Sequence, residues 1–325
     1  MTAVLTPATY TVDPWDPGYG VAATGDELDG RGTSKVQLTL DVERPAGDWA
    51  AVPPARGVTP PSAVLFLDGV RRIDARLWVH GAAAQPVPGM AASLAVGLVC
   101  CNGSAQLADV CVDRRLYTTE PSAGPLVTRH ARYEVERVEE ETSSNGDQLS
   151  LAVQRRLARL EVDLALRWRA GSPVDDDLLV VDGPLHGRGH LPRTVGYVKT
   201  HDKAYLREPQ AQIVAGLAPG ERTPVFAMTT SWRRHSWYLR LPGSSGAPWS
   251  GVVRLEASAD LDAADVVRLA DLSTVVLPPL ASVPHKDSRA PQNLVPIGGL
   301  ERQLRHRLGD AALLYRSLRA AAATG

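Results

Sequence analysis

The chain has 325 residues, of which 44% are hydrophobic and 22% are charged, and its formal net charge is -1. This composition is ordinary for a globular protein, and a chain of this length can bury a sizeable core. The near-zero charge excludes nucleic-acid binding through overall charge alone, so any such binding needs a local basic face.

The cysteines and the N-terminus indicate a cytoplasmic protein. Cys100, Cys101 and Cys111 form no Cys-x-x-Cys pair, and the first two lie in an apolar run. They are therefore predicted to be buried free thiols, as expected in a reducing compartment. The N-terminus lacks a basic region followed by an apolar stretch, so no signal peptide is predicted. The apolar run 91–101 is too short to span a bilayer.

The first part of the chain predicts an irregular arm followed by strands. Residues 1–34 are rich in Gly, Pro, Thr and Asp and show no sustained period, which predicts an irregular N-terminal arm. Alternating apolar residues predict a half-buried strand over 35–43. Three further strands are predicted at 63–69, where Asp68 ends the strand, at 73–80, which returns as a hairpin, and at 91–101.

The second part alternates helices and strands after a polar surface excursion over 118–147. Apolar residues at spacings of three and four predict a helix over 148–169, and apolar runs predict strands at 177–183 and 194–200. A loop over 207–224 precedes strands at 225–241 and 251–256. Helices at 261–276 and 299–321 flank a Pro-rich loop. The pattern predicts a mixed α/β sheet with helices packed on it, in a single domain over 35–325.

Two of the predicted strands end in the same dipeptide, Asp68-Gly69 and Asp182-Gly183. Near-continuous apolar runs indicate strands buried on both faces, and a carboxylate at the exit of such a strand lies where ligands of α/β folds bind. Two carboxylates in one site repel unless a cation lies between them, and oxygen ligands suit Mg²⁺ or Mn²⁺. The alternative is turn chemistry, because Asp-Gly is a common turn dipeptide.

Glu161 is the third candidate. Its neighbours three and four residues away on the helix are all apolar, so Glu161 projects from the face that packs on the sheet. A buried carboxylate is costly unless it is paired or metal-bound. The alternative to a metal ligand is an ion pair with an arginine such as Arg155 or Arg72.

Cations and aromatic residues alternate in the segment 231–238. This combination grips phosphates and stacks unpaired bases, so Arg233 and Arg234 are candidates for DNA contact, while Trp237 is predicted to be core. Arg302 and Arg305 on the last helix are candidates for the same channel. The loop after Asp182 adds Arg188, which has access to the same substrate.

Several short motifs together resemble the NurA nucleases. The first two motifs are a strand that ends in Asp68-Gly69 and an Arg-x-x-x-x-x-Glu on a helix, from Arg155 to Glu161. The next two are a strand followed by Asp-Gly-Pro-Leu at Asp182–Leu185 and a Gly-Tyr-Val-Lys-Thr strand at Gly196–Thr200. The last is Pro-Gln-Asn-Leu-Val-Pro at Pro291–Pro296, before the last helix. The resemblance covers most of residues 63–315.

The resemblance implies a ribonuclease-H-like core and a Mn²⁺- or Mg²⁺-dependent nuclease acting on DNA ends and single strands. It also implies a homodimer that works with a hexameric HerA-type ATPase. Asp68, Glu161 and Asp182 would be metal ligands, and Lys199 would lie near the scissile phosphate. The family usually carries a His in the last helix; this chain has none there, and Glu301 would serve as a fourth acidic ligand. The alternative for Lys199 is a solvated lysine at a strand end.

The expected function is therefore two-metal phosphodiester hydrolysis of DNA. The proposed contacts to DNA come from arginines spread along the chain, namely Arg72, Arg155, Arg188, Arg233, Arg234, Arg302 and Arg305. Two alternatives compete with this reading. One is a non-catalytic DNA-binding or assembly subunit that retains the nuclease fold, and the other is a phosphohydrolase acting on small nucleotides.

Overall fold

The computed structural model describes residues 8–12, 36–81, 85–139, 145–172, 174–199, 205–243 and 248–323. The twelve strands within these residues are β1 (Thr9–Val12), β2 (Gln37–Thr39), β3 (Val64–His80), β4 (Val87–Asn102), β5 (Ser104–Thr118), β6 (Leu126–Val127), β7 (Arg132–Arg137), β8 (Leu178–Asp182), β9 (Thr194–Val198), β10 (Phe226–Thr229), β11 (Arg233–Arg240) and β12 (Val252–Ser258). The helices are α1 (Asn145–Gly171), α2 (Gln210–Gly216), α3 (Ala263–Val276), α4 (Val295–Arg307) and α5 (Ala311–Ala322), with 3₁₀ turns at Ala46–Asp48 and Pro278–Leu280.

The strands form one mixed sheet, as the sequence predicts. Its order is β2-β10-β11-β12-β9-β8-β3-β4-β5-β7-β6, and β1 pairs separately with the far end of β3. At the centre, β3, β4 and β5 form an antiparallel meander, whereas β3, β8 and β9 run parallel. The long α1 connects the meander to β8, which is the type of crossover that parallel strands require.

The strand that carries Asp68 does not end there, so this part of the prediction is wrong. β3 spans 17 residues from Val64 to His80, and β4 pairs with it along nearly the whole length, from Val64 opposite Cys101 to Val79 opposite Val87. The segment 73–80 is therefore the second half of β3 and does not return beside the first half. The predicted strand 91–101 is the true hairpin partner. The Asp-Gly dipeptide does not turn the chain here because Gly69 keeps its place in the ladder.

Other boundaries also differ from the predictions. Residues 104–118 form β5 although the first five of them are exposed. The region 207–224 contains the short α2. The last predicted helix is two helices, because Gly309 adopts a φ of 78° and Asp310 caps α5 by accepting a hydrogen bond from the Leu313 N–H at 2.7 Å. Of the predicted N-terminal arm, residues 9–12 form β1, and the remainder lies outside the described residues apart from residue 8.

Helices cover both faces of the central strands. Leu65, Leu67 and Val181 face α1, whose buried side includes Val153, Leu157, Leu160 and Leu164. Phe66 and Val180 face the other layer, built from α3 and α4. The three cysteines are free and only partly buried, which corrects the prediction of full burial. Within the described part of the chain, no helix is long and apolar enough to cross a membrane.

Candidate functional site

The parallel register of β3 and β8 brings Asp68 and Asp182 side by side. Leu67 pairs with Val181, so the next residue of each strand is one of the two aspartates. Side chains alternate between the faces of a strand, and Phe66, Val70 and Val180 lie in the layer packed by α3 and α4. Asp68 and Asp182 therefore project toward that layer. The sequence predicts this juxtaposition, and Gly183 completes it with a φ of 104° that turns the chain immediately after Asp182.

A cavity of about 440 Å³ opens at this point, and Asp68, Asp182 and Glu301 all line it. The remaining polar lining is cationic and consists of Arg71, Arg72, Arg289 and Arg305. Glu301 projects from α4, so three segments far apart in sequence contribute carboxylates to one space. The carboxylates of this cavity suit a divalent metal, and its arginines suit a phosphate group bound beside that metal.

Glu301 is already paired. Its carboxylate accepts hydrogen bonds at 2.7 Å from Arg289 and at 2.7 Å from Arg305. Burial raises the pKa of Glu301, but the hydrogen bonds from Arg305 and Arg289 outweigh it, so the pKa is lowered overall. Glu301 is thus ionised and its charge is offset within the cavity.

Lys199 lies at the same end of the sheet. Its ammonium donates to Asp182 Oδ2 at 2.7 Å and to Asn293 Oδ1 at 3.1 Å. Asn293 is fully buried and donates in turn to Asp287 at 2.5 Å. Asn293 thereby orients the lysine, a role that the sequence reasoning missed although Asn293 belongs to the Pro291–Pro296 motif. Of the neighbouring motif Gly196–Thr200, Thr200 lies outside the described residues.

Glu161 reaches the site from the opposite face of the sheet. It is only 3% exposed, and its Oε1 lies 2.6 Å from the point that a Cβ on Gly69 would occupy. Gly69 therefore leaves room for the Glu161 carboxylate rather than for a turn. Glu161 does not line the cavity described above. Oε2 accepts from Arg188 Nε at 2.7 Å and also from the second amino group of Arg188.

The predicted arginine partners of Glu161 were wrong, because Arg188 takes this place. Arg72 instead binds Asp74 at 2.7 Å and the carbonyl oxygens of Gly309 and Leu308. Arg155 is exposed and lines a separate surface pocket with Glu136 and Glu139. The choice of partner follows from the loop after β8, which folds back over α1.

Burial raises the pKa of Asp68 well above its usual range, and the nearby Asp182 and Glu161 raise it further. Burial also raises the pKa of Asp182, although Lys199 opposes this effect. Burial raises the pKa of Glu161 against the opposing effect of Arg188. The folded protein therefore disfavours the charged forms of these three carboxyl groups, and a further cation bound beside them would oppose that effect.

The donor set fits a divalent metal in type. Asp182 Oδ1 is buried and accepts no hydrogen bond within the described part of the chain, and the Asp68 Oδ1 bond comes from the adjacent Gly69 N–H at 2.7 Å. These are oxygen donors of the kind that Mn²⁺ and Mg²⁺ prefer. Among the described residues, no three His, Cys, Asp or Glu side chains are yet arranged to hold one ion together. A metal site with three protein carboxylates would require Glu161 or Glu301 to leave its arginine partner.

The predicted DNA-contacting arginines divide into exposed and buried groups. Arg233 and Arg302 are exposed, and the side chain of Arg305 is 68% exposed beside the cavity. Arg234 is buried, pairs with Glu256 at 2.8 Å and lies over the Trp232 ring. Its guanidinium is held inside the protein, so we leave it out of the proposed DNA surface. Trp237 is fully buried, which confirms that it belongs to the core.

The aromatic segment meets the loop that carries Arg188. The rings of His186 and Trp232 lie 5.5 Å apart, and His186 is exposed. Two segments that are distant in the sequence therefore form one continuous surface, which consists of His186 and Arg188 from the loop and Trp232 and Arg233 from the aromatic segment. This surface begins beside Glu161 and leads away from the carboxylates.

We expect Gly69→Ala to displace Glu161. The added Cβ would lie 2.6 Å from Glu161 Oε1 and 2.9 Å from Leu157 Cδ1, closer than real Cβ contacts allow. The backbone at Gly69 is ordinary strand, so the fold should persist with a loss of about 1–3 kcal/mol from overpacking. Divalent-cation affinity, measured by calorimetry, should fall roughly 10–100-fold. An affinity equal to that of the wild type would show that Glu161 takes no part in binding the cation.

No model of a known protein family matches this sequence, and a search of curated proteins finds no significant match.

Proposed function

We propose that the protein is a Mn²⁺- or Mg²⁺-dependent DNA nuclease of the ribonuclease-H-like class. The observation that carries the proposal is the parallel register of β3 and β8, which sets Asp68 and Asp182 together at a cavity shared with Glu301. Lys199 and Glu161 lie at the same end of these strands. Carboxylates that lie beside arginines suit a site for metal and phosphate.

The order of the central strands supports the fold part of the proposal. After the antiparallel meander β3-β4-β5 the chain forms the short β6 and β7 and then α1. It returns as β8 and β9, both parallel to β3, so that the spatial order of the central strands is β5-β4-β3-β8-β9. A ribonuclease-H-like core, which the sequence resemblance implies, has this arrangement. The remaining strands are insertions or extensions around it, and β10, β11 and β12 extend the sheet beyond β9.

In the proposed reaction, Asp68, Asp182 and Glu301 would hold the metal in the cavity that they share, and Glu161 would join them from the other face of the sheet beside Gly69. The metal, when bound, supplies an activated water and offsets the charge that develops on phosphate oxygens. Lys199 offers a hydrogen bond and a positive charge to the phosphate, and Asn293 holds its ammonium in place at 3.1 Å. Burial of Asp68 and Glu161 keeps bulk water away from the reacting groups.

The substrate contacts would come from the exposed cations around the carboxylates. Arg305 lines the cavity, Arg302 lies on the same helix, and Arg233 is exposed on β11, whereas the side chain of Arg188 is 14% exposed and paired with Glu161. His186 and Trp232 offer rings on which unpaired bases stack. A strand of nucleic acid would therefore cross the sheet where β8 ends beside Asp68 of β3. We further propose that the nuclease is a homodimer acting with a HerA-type hexameric ATPase, as the sequence resemblance implies.

The test is DNA degradation by the purified protein with Mn²⁺, Mg²⁺ or EDTA, using end-labelled linear duplex and single-stranded DNA. We expect metal-dependent degradation, and Asp182→Asn should reduce it more than the roughly 100-fold cost of losing a supporting residue. Asp175→Asn is the matched control, since Asp175 is exposed at the other end of β8. Equal activity in Asp182→Asn and Asp175→Asn would remove Asp182 from the site.

The alternative function is a non-catalytic DNA-binding or assembly subunit that retains the fold. The observation that favours it is the pairing of Glu161 and Glu301 with arginines, which leaves no ready-made three-carboxylate site among the described residues. Such a protein would bind DNA with the same salt dependence in EDTA and in Mn²⁺. If the wild type, with the ATPase partner present, binds DNA but leaves it intact with every metal, this alternative replaces the nuclease.

A further inference from the structure

Arg188 occupies a carboxylate oxygen of Glu161 that would have to be free for Glu161 to bind a metal. Its guanidinium donates through two nitrogens to the same oxygen of Glu161, Oε2, and its third nitrogen contacts the carbonyl oxygens of Pro184 at 3.2 Å and His186 at 3.3 Å. Both latter contacts are longer than the usual hydrogen bond and belong to its own loop. Glu161 is therefore the dominant partner of Arg188.

Both side chains of the pair are largely buried, and Arg188 is the more exposed of the two. The side chain of Glu161 is 4% exposed, and that of Arg188 is 14% exposed. The loop that carries Arg188 is anchored by the Leu185 N–H, which donates to Glu256 at 2.9 Å, and it contains Gly187 with a φ of 74°. An arginine on such a loop can leave its partner by rotating its own side chain, without any movement of β8 or α1.

Charge explains why an arginine is placed there. Without a cation, Glu161 would be a buried negative charge beside Asp68 and Asp182, a costly arrangement. Arg188 offsets that charge, as Lys199 does for Asp182 and Arg289 does for Glu301. A divalent ion that binds Glu161 offsets the same charge more strongly, so the ion and Arg188 compete for one carboxylate.

We propose that Arg188 is an exchangeable counter-ion, which holds Glu161 when the site lacks metal and is released to the DNA backbone when a divalent cation binds. This inference rests on the proposed function, because it assumes that the carboxylates receive a metal. On release, the guanidinium lies beside His186, next to Trp232 and Arg233, where a phosphate of a bound strand would pass. Metal binding thereby adds one cation to the DNA surface, and the two ligands favour each other.

The experiment measures Mn²⁺ affinity by electron paramagnetic resonance of the free ion, with no DNA present. Arg188→Gln removes the competing charge and retains a polar side chain of moderate length. We expect Mn²⁺ to bind on the order of 10-fold more tightly to this variant than to the wild type, within the usual range of coupling between sites. Arg268→Gln is the control, because Arg268 is a largely exposed residue of α3 whose ion pair among the described residues is with Asp265.

A second variant and a second measurement separate the proposal from a purely structural role. Arg188→Lys keeps the charge but loses the two-nitrogen contact, so its Mn²⁺ affinity should lie between those of the wild type and Arg188→Gln. In Mn²⁺, Arg188→Gln should bind a single-stranded oligonucleotide more weakly, with a salt dependence reduced by about one charge. In EDTA, the two proteins should bind it alike.

The outcomes are distinct from those of the nuclease test. Unchanged or weaker Mn²⁺ binding in Arg188→Gln would overturn the exchange, since Arg188 would then merely hold Glu161 in place. The metal site itself would still stand if the wild type binds Mn²⁺. Mn²⁺ binding that appears only in Arg188→Gln would support the exchange strongly. Absence of Mn²⁺ binding in both proteins would overturn the exchange and the metal site together.

Discussion

Asp68→Asn should make the metal-free protein more stable while it abolishes the response to Mn²⁺. Asp68 is 7% exposed and faces Asp182 and Glu161, so its ionised form is disfavoured in the folded protein. Asparagine has nearly the same shape and still accepts the Gly69 N–H through Oδ1. Each unit by which the pKa is raised costs about 1.4 kcal/mol of folding free energy at high pH, and the substitution removes that cost.

The direction of the pH dependence follows from the raised pKa. Between the ordinary pKa of 3.8 and the raised pKa, the folded protein binds more protons than the unfolded chain, so stability falls as the pH rises through this window. The stability difference between Asp68→Asn and the wild type should therefore be near zero below pH 3.8 and grow as the pH rises. Thermal unfolding in EDTA from acid to pH 8 measures it. A difference that is constant across this range would show that Asp68 titrates normally.

Addition of Mn²⁺ should reverse the ranking of the two proteins. A ligand at 100 times its dissociation constant stabilises the folded state by about 2.7 kcal/mol, and only the wild type retains the Asp68 ligand. The thermal midpoint of the wild type should rise with Mn²⁺, and that of Asp68→Asn should hardly move. DNA cleavage should disappear in the variant. Asp175→Asn, which is exposed and distant from the site, should behave as the wild type does in every measurement.

Glu256→Gln should cause the largest loss of stability. Glu256 is fully buried on β12, where it pairs with Arg234 at 2.8 Å and with Arg254 at 3.1 Å. Removal of the charge leaves two buried guanidinium groups without an anion, which costs about 3–5 kcal/mol in comparable buried pairs. Glutamine has nearly the same shape and still offers an oxygen to the Leu185 N–H. The loss of stability therefore measures the effect of the charge alone.

The measurement is urea unfolding, with Glu134→Gln as the matched control. Glu134 pairs with Arg132 on the surface of β7, where both side chains are about half exposed, and such pairs contribute about 0.2–1 kcal/mol. Equal losses in Glu256→Gln and Glu134→Gln would mean that the buried pair is as weakly coupled as a surface pair.

The local patterns of the sequence determined which elements and which acidic residues to consider. The spacing of Leu157, Leu160 and Leu164 predicts α1 and places Glu161 on its buried side, as the structure confirms. The apolar runs before Asp68 and Asp182 predict two buried strands, and both exist. These features depend on periods of two and 3.6 residues, which a single segment carries by itself.

Only the tertiary structure decided how those residues meet. The continuation of β3 beyond Asp68 depends on pairing with β4, and the pairing of Asp68 with Asp182 depends on the β3–β8 register. The partner of Glu161 is Arg188, 27 residues away, and Asn293 orients Lys199 from 94 residues away. Ion pairs and hydrogen bonds between distant segments leave no periodic trace in the chain. For the same reason, the sequence alone did not reveal that Arg234 is held inside by Glu256 while its neighbour Arg233 faces the solvent.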